Sequence, residues 1–205
     1  MNMPKLWFAC SFIVLVISTG FAQTNSTQAA AEVYRNEKLR FEFTLPNGWI
    51  VTGENEKAAL LEMGKDNLKS GKKRTDAAID YSAAREVQLL MASKKPVGAL
   101  GNSMIGMSFV KQASASFTPK MVVEAGKSVF LANPTFKLVR DTAEKTIGGK
   151  KFAYIDLEVQ SNGQTVQLHY LATMVGQNAL AIAVSYLDDA DFKTVQASLN
   201  TMRFF

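Results

Sequence analysis

Cysteine and histidine are nearly absent from this chain of 205 residues, in which each occurs once, as Cys10 and His169. A single cysteine cannot form an intramolecular disulfide, and Cys10 lies in a segment that we expect to be removed. We therefore predict a mature chain without a disulfide, a thiol nucleophile or a cysteine metal site. A histidine-based zinc site needs a second histidine or a cysteine, so the sequence excludes that site as well.

Long apolar runs and a strong excess of one charge are also missing. The apolar stretch 6–17 is shorter than the about 20 residues that cross a membrane. Lysine and arginine together number 23 against 18 aspartates and glutamates, which gives a net charge of +5. Nucleic-acid binders usually concentrate far more basic side chains on one face. We therefore predict no nucleic-acid partner and no transmembrane span in the mature chain.

The first 22 residues have the pattern of a secretory signal peptide. Lys5 precedes the apolar stretch, and the small residues Gly20 and Ala22 stand three and one positions before the expected cleavage site. Cleavage after Ala22 leaves 183 residues with a net charge of +4, since Lys5 is the only charged residue that is lost. We expect an exported protein, periplasmic or extracellular, with a flexible tether over 23–32 and a single domain over 33–205.

Alternating apolar residues predict most of the strands. Leu39, Phe41, Phe43 and Leu45 alternate with polar residues, which is typical of a half-buried strand. The pair Asn162-Gly163 favours a tight hairpin turn. Further strands are expected at 49–51, 87–91, 105–110, 153–159, 166–174, 179–184 and 202–205.

Four helices are predicted from start signals and from composition, one of them a short helix from Thr75 or Asp76 through about Arg85. The pair Thr118-Pro119 supplies a capping hydroxyl and a proline for the first helical position, and Asn133-Pro134 should end that helix. The acidic pair Asp188-Asp189 should begin a last helix, whose positive N-terminal end these charges favour. Helix formers fill 57–68. The order of elements predicts an α+β fold, with a central antiparallel sheet and helices on both sides.

Two motifs carry a family resemblance. The segment 39–49 ends in the turn Pro46-Asn47-Gly48-Trp49, and Ile147-Gly148-Gly149 precedes a later strand. In this order over residues 33–205, the motifs resemble those of the PsbP-like and DcrB-like superfamily. The resemblance implies an α/β/α sandwich and roles as accessory or envelope proteins. It implies no shared catalytic motif, so no functional residue is carried over.

Several patterns that could carry chemistry have structural explanations. Met91, Met104 and Met107 could offer thioethers to Cu(I), but positions 104 and 107 should point to opposite faces of one strand. The aspartates within 188–191 lack the glycine-bearing loop of a calcium site and are better explained as helix caps. His169 shares a strand face with polar neighbours, so we expect it on a solvated or helix-covered surface, although a general base stays an alternative.

The densest basic stretch supplies the predicted partner-binding residues, which are Lys69, Lys72, Lys73 and Arg74. We predict an exported, non-catalytic accessory protein that docks on a protein partner or an envelope assembly, without a cofactor, a metal or catalytic residues. Two alternatives stay open. One is a hydrolase with an unidentified carboxylate site, and the other is a carrier of a small apolar ligand.

Overall fold

A computed structural model of the chain describes residues 32–68, 76–77, 80, 84–111, 116–161 and 163–205. The predicted leader lies outside this part, and so do the predicted partner-binding residues Lys69, Lys72, Lys73 and Arg74. In chain order, the described elements are β1 (Val33–Asn36), β2 (Phe41–Thr44), β3 (Ile50–Val51), α1 (Glu54–Leu68), β4 (Glu86–Ser93), β5 (Met104–Lys111), α2 (Pro119–Phe130), β6 (Phe136–Ile147), β7 (Lys150–Ser161), β8 (Gln164–Val175), β9 (Asn178–Tyr186), α3 (Asp189–Asn200) and β10 (Arg203–Phe204).

The strands form two sheets in which every neighbouring pair is antiparallel. The large sheet has the order β3-β4-β5-β9-β8-β7-β6, and the small sheet has the order β1-β2-β10. Strands β6 to β9 follow one another as hairpins. Strand β6 is therefore the last strand on its side of the large sheet.

Both faces of the large sheet are covered. On one face, Val122 and Val123 of α2 pack in one apolar cluster with Tyr170 of β8. On the other face, the next residue of β8, Leu171, belongs to a cluster that α3 and the small sheet complete, with members such as Leu199 and Phe41. Successive strand residues point to opposite faces, so the helices lie on both sides of the sheet. The predicted α+β fold with a central antiparallel sheet is confirmed.

Two of the predicted helix starts are confirmed in detail, whereas much of the short helix predicted through Arg85 lies outside the described residues. The Thr118 hydroxyl accepts the backbone N–H of Met121 at 3.2 Å, and Pro119 is the first residue of α2. The Asp188 carboxylate accepts the backbone N–H of Asp191 at 2.8 Å at the start of α3. Each cap satisfies a donor that the first helical turn leaves unpaired.

Strand β6 was not predicted, because its sequence lacks a continuous alternation of apolar and polar residues. The pairing of β6 with β7 is irregular between Leu138 and Arg140 and again between Arg140 and Ala143. Such irregularities shift the side-chain period of two. Most of the side chains between 137 and 146 are also exposed or half-exposed, as on an edge strand.

The other differences concern element ends. The strand predicted over 39–45 is limited to Phe41–Thr44, because Arg40 adopts a positive φ of 54° and Pro46 cannot donate a hydrogen bond. Helix α1 begins at Glu54 instead of Lys57. Acidic residues in its first turn explain the earlier start, since they favour a helix N-terminus. Strand β1 was not predicted.

Candidate functional site

Four charged or ionisable side chains meet on the face of the large sheet that α3 covers. They are Arg140 and Lys145 of β6, Asp156 of β7 and His169 of β8, and we call them the polar cluster. Asp156 lies opposite Arg140 on one side and opposite His169 on the other. Directly opposed residues of antiparallel strands share a sheet face, so the strand pairing itself brings these side chains together.

The local sequence explains why this face is polar here. On β7 and β8, Ile155 and Tyr170 point to the α2 face and are completely buried. The residues next to them, Asp156 and His169, must therefore point to the α3 face. The register of β7 and β8, in which Ser161 pairs with Gln164, places residues 156 and 169 opposite one another.

The polar cluster is a continuous chain of hydrogen bonds. The imidazole of His169 has its Nδ1 2.5 Å from Asp156 Oδ1 and its Nε2 2.8 Å from Lys145 Nζ. Arg140 flanks the carboxylate, with Nε 3.3 Å from Asp156 Oδ2. Arg140 Nη1 also donates to the hydroxyl of Tyr154 at 3.3 Å.

These contacts assign the protons. A lysine ammonium can only donate, so Nε2 of His169 must accept from Lys145. The other ring nitrogen then carries the hydrogen and donates to the Asp156 carboxylate. The imidazole is neutral in this arrangement, and each of its nitrogens has a partner.

Burial favours the neutral forms of both basic groups. It lowers the pKa of His169, and the positive charge of Lys145 adds to this effect, while the hydrogen bond to Asp156 opposes it. Burial also lowers the pKa of the Lys145 amine, against the opposing charge of Asp156. Desolvation disfavours the charged form of any base, so the directions agree with the position of the cluster between sheet and helix.

Aromatic rings enclose the imidazole. Phe192 of α3 meets the His169 ring edge-on at 5.3 Å, and Phe192 also stacks on Tyr186 at 4.5 Å. Tyr154 lies on another side of the imidazole, at 5.1 Å. Burial raises the pKa of Tyr186 to about 12. Only 2% of His169 is exposed, so its ring is not available to a ligand in this conformation.

The accessible groups of the polar cluster are its two cations. Lys145 is partly exposed, and the Arg140 side chain is 61% exposed. With a neutral imidazole, two cations face one carboxylate, which leaves a net positive charge. The arrangement can therefore attract an anionic group and offer it an amine. Burying ionisable groups costs stability, and groups with perturbed pKa values concentrate at functional sites.

The other residues singled out in the sequence have structural roles. Met104 packs with Met91 in a small apolar cluster, whereas Met107 belongs to the core on the α3 face. The prediction that Met104 and Met107 point to opposite faces is confirmed. Asp191 accepts hydrogen bonds from Lys94 and Ser103, each at 2.6 Å, so it joins α3 to the large sheet.

The sequence analysis placed His169 on a helix-covered or solvated face, and the structure shows the helix-covered case. It did not identify Asp156, Lys145 or Arg140 as partners. The partnership with Asp156 had a usable signal, because a two-residue turn at 162–163 pairs position 156 with position 169. Lys145 and Arg140 had none, since they lie on the strand that was missed.

In the part of the chain that the structure describes, no three histidine, cysteine, aspartate or glutamate side chains lie close enough together to hold a metal ion. None of the described helices is both long enough and apolar enough to cross a bilayer.

No family model matches the chain, and no curated protein matches it by sequence. Similar solved structures include LpqN of Mycobacterium tuberculosis, described as involved in cell envelope biogenesis, and cyanobacterial PsbP (CyanoP) of Synechocystis. LpqN is 13% identical over 80% of this chain and 82% of its own, with a TM-score of 0.47. CyanoP is 13% identical over 91% of this chain and 98% of its own, with a TM-score of 0.49.

Proposed function

We propose that this chain is an exported, non-catalytic accessory protein that binds an extended, acidic segment of a protein partner along β6. The observation that carries the proposal is the open outer edge of this strand. Strand β6 has 12 residues and ends the large sheet, and no strand in the described part of the chain pairs with its outer side. Such an edge offers backbone N–H and C=O groups to a further strand.

The charge of the edge supports an acidic partner. The side chain of Lys137 is 80% exposed and that of Arg140 is 61% exposed, and between them Val139 is 54% exposed. The neighbouring carboxylate of Asp141 already accepts a hydrogen bond from Lys127 at 2.7 Å. An incoming strand therefore meets an apolar side chain with one cation on each side of it. This pattern favours a partner segment in which carboxylates flank an apolar residue.

The irregular pairing of β6 supports a selective contact. Bulges and charged side chains are the features by which edge strands avoid indiscriminate pairing. Both are present between Lys137 and Ala143. A partner must therefore match this charge pattern, which excludes most extended chains.

The enclosure of His169 supports a binding role over a catalytic one. Phe192 and Tyr154 lie against the imidazole, which is buried, so the single histidine of the chain cannot act as a general base on a bound substrate in this conformation. The predicted signal peptide supports action outside the cytosol.

Site-specific photocrosslinking in the native cell tests the proposal. A photoreactive residue at Val139 should form an adduct with one partner, and the cross-linked peptide should be acidic and lack helix-forming periodicity. The matched control is Val87 of β4, which is 50% exposed on the same sheet. Lys137→Glu should reduce the adduct at Val139 several-fold, because it reverses one of the two cations.

Three outcomes would contradict this proposal. Equal adducts at Val139 and Val87 would remove the preference for β6. An adduct between two copies of this chain would indicate self-association instead. Recovery of the chain in the cytosol with residues 1–22 attached would contradict export.

The basic stretch outside the described residues is proposed as a second contact with the same partner, because its charge has the same sign. Replacing its four residues with glutamate should weaken recovery of that partner and reduce the salt dependence of recovery. Unchanged recovery would limit the contact to β6. The residues concerned are Lys69, Lys72, Lys73 and Arg74.

A further inference from the structure

The arrangement around Lys145 has a consequence beyond partner binding. Its Nζ lies 2.8 Å from His169 Nε2, which accepts while the lysine is an ammonium, and the opposite ring nitrogen lies 2.5 Å from the Asp156 carboxylate. If a proton moves from Nζ to Nε2, the amine becomes neutral and the carboxylate stabilises the imidazolium. A carboxylate, an imidazole and a nucleophile in this order are the general arrangement for activating a nucleophile.

A second cation of the polar cluster, Arg140, is held in place. Arg140 contacts Asp156 and the hydroxyl of Tyr154, and Lys145 Nζ lies 5.2 Å from the centre of the Tyr154 ring. The guanidinium and the amine therefore contact the same tyrosine. A positioned guanidinium with exposed donors can bind a carboxylate in a bidentate manner, through two parallel hydrogen bonds.

We propose that Lys145 is a nucleophilic amine that forms an imine with small carbonyl compounds carrying a carboxylate, which Arg140 holds. The neutral Nζ attacks the carbonyl carbon and forms a C–N bond, while the carbonyl π electrons move to oxygen. One proton from nitrogen and one from solvent convert that oxygen to water, which leaves as the C=N bond forms, and the second nitrogen proton returns to solvent to give the neutral imine. The step consumes one aldehyde or ketone, releases one water and needs no oxidant or reductant.

The surroundings make the Lys145 amine easier to deprotonate than an ordinary lysine. Burial lowers the pKa of Lys145, and the charge of Asp156 acts in the opposite direction. The titratable and charged groups that face this region are Arg140, Tyr154, Asp156, His169, Tyr186 and Asp189. Of these, His169 and Asp156 act as positioning residues, since they contact the amine or its partner and not the substrate.

Reductive trapping tests the proposal on the purified full chain. The protein is incubated with glyoxylate and cyanoborohydride at neutral pH, and carboxymethylation of each lysine is quantified by mass spectrometry. Lys137 of the same strand is the internal control. Its side chain is 80% exposed, so exposure alone favours Lys137. We expect several-fold more product at Lys145.

Two variants distinguish binding of the substrate carboxylate by Arg140 from activation of the Lys145 amine by His169. Arg140→Gln should abolish the preference of Lys145 for glyoxylate over neutral glycolaldehyde, because the guanidinium no longer binds the carboxylate. His169→Gln should shift the pH profile of Lys145 labelling upward, because an amide oxygen accepts a hydrogen bond from the ammonium but does not take its proton. A purely structural role for His169 would leave that profile unmoved. Arg140 is exposed, so its variant keeps the test valid if the histidine variant fails to fold.

The proposal is overturned if Lys145 is labelled no faster than Lys137 at any pH. It is also overturned if the wild-type chain shows the same ratio of glyoxylate to glycolaldehyde labelling as Arg140→Gln. Both measurements use small molecules and the isolated chain, so they are independent of any protein partner along β6.

Discussion

Gly148, in the turn between β6 and β7, lies directly against the backbone of Met202 near the C-terminus. A Cβ atom at position 148 would be 2.5 Å from the Met202 carbonyl oxygen, and Gly148 has a positive φ of 56°. The next residue, Gly149, also has a positive φ, of 79°, but no atom lies within 4 Å of its Cβ position. The two glycines of the Ile-Gly-Gly motif therefore have different reasons for being glycine.

This difference gives a matched pair of variants. Gly149→Ala should cost about 1–2 kcal/mol of unfolding free energy, which is the cost of a left-handed conformation for a residue with a Cβ. Gly148→Ala should cost about 1–3 kcal/mol more, because the new methyl group overlaps a backbone atom that cannot rotate away. Urea unfolding monitored by circular dichroism measures both values. Equal losses in the two variants would show that the C-terminal contact does not restrict position 148.

The sequence predicted the elements in which a regular apolar pattern marks the face that is buried. Strands β7, β8 and β9 and the capped helix α2 belong to this group, because burial and capping are local consequences of residue type. Strand β6 could not be predicted in the same way, since bulges near Arg140 interrupt its period and one of its sides faces solvent. The polar cluster depends on that strand, so only its Asp156–His169 half was accessible to sequence reasoning.

Asp191 provides a second prediction, on the attachment of α3. Burial alone would raise the pKa of this carboxyl group, but hydrogen bonds from Lys94 and Ser103 outweigh it and hold the pKa below its ordinary value. Asp191→Asn should therefore cost about 1–2 kcal/mol near neutral pH, at the lower end for a charged hydrogen bond because Lys94 is half exposed. The exposed Asp189 in the same helical turn is the control, and Asp189→Asn should cost about 0.5 kcal/mol.

The pH dependence of this effect has a definite sign. A depressed carboxyl pKa stabilises the folded state above the unfolded value of about 3.9, and this contribution is lost as the pH falls through the folded pKa. The difference in stability between wild type and Asp191→Asn should therefore shrink in acid. A constant difference from neutral pH to about pH 2 would contradict the hydrogen-bonded carboxylate.

His169 allows the most direct test of the polar cluster, because it is the only histidine in the chain. In protein without a histidine tag, its imidazole gives a single set of NMR signals, whose titration should report a pKa below the ordinary value. Since the unfolded chain then takes up a proton before the folded one, the unfolding free energy should fall as the pH decreases below about 6.5 and level off below the folded pKa.

Asp156→Asn should lower the His169 pKa further, because the carboxylate hydrogen bond raises it. Glu158→Gln removes a carboxylate from the same strand that hydrogen-bonds to Gln167 instead, and it should leave the titration unchanged. A His169 pKa at the ordinary value that does not change in Asp156→Asn would mean that the ring is solvated and that the hydrogen-bond chain from Asp156 to Lys145 does not form in solution.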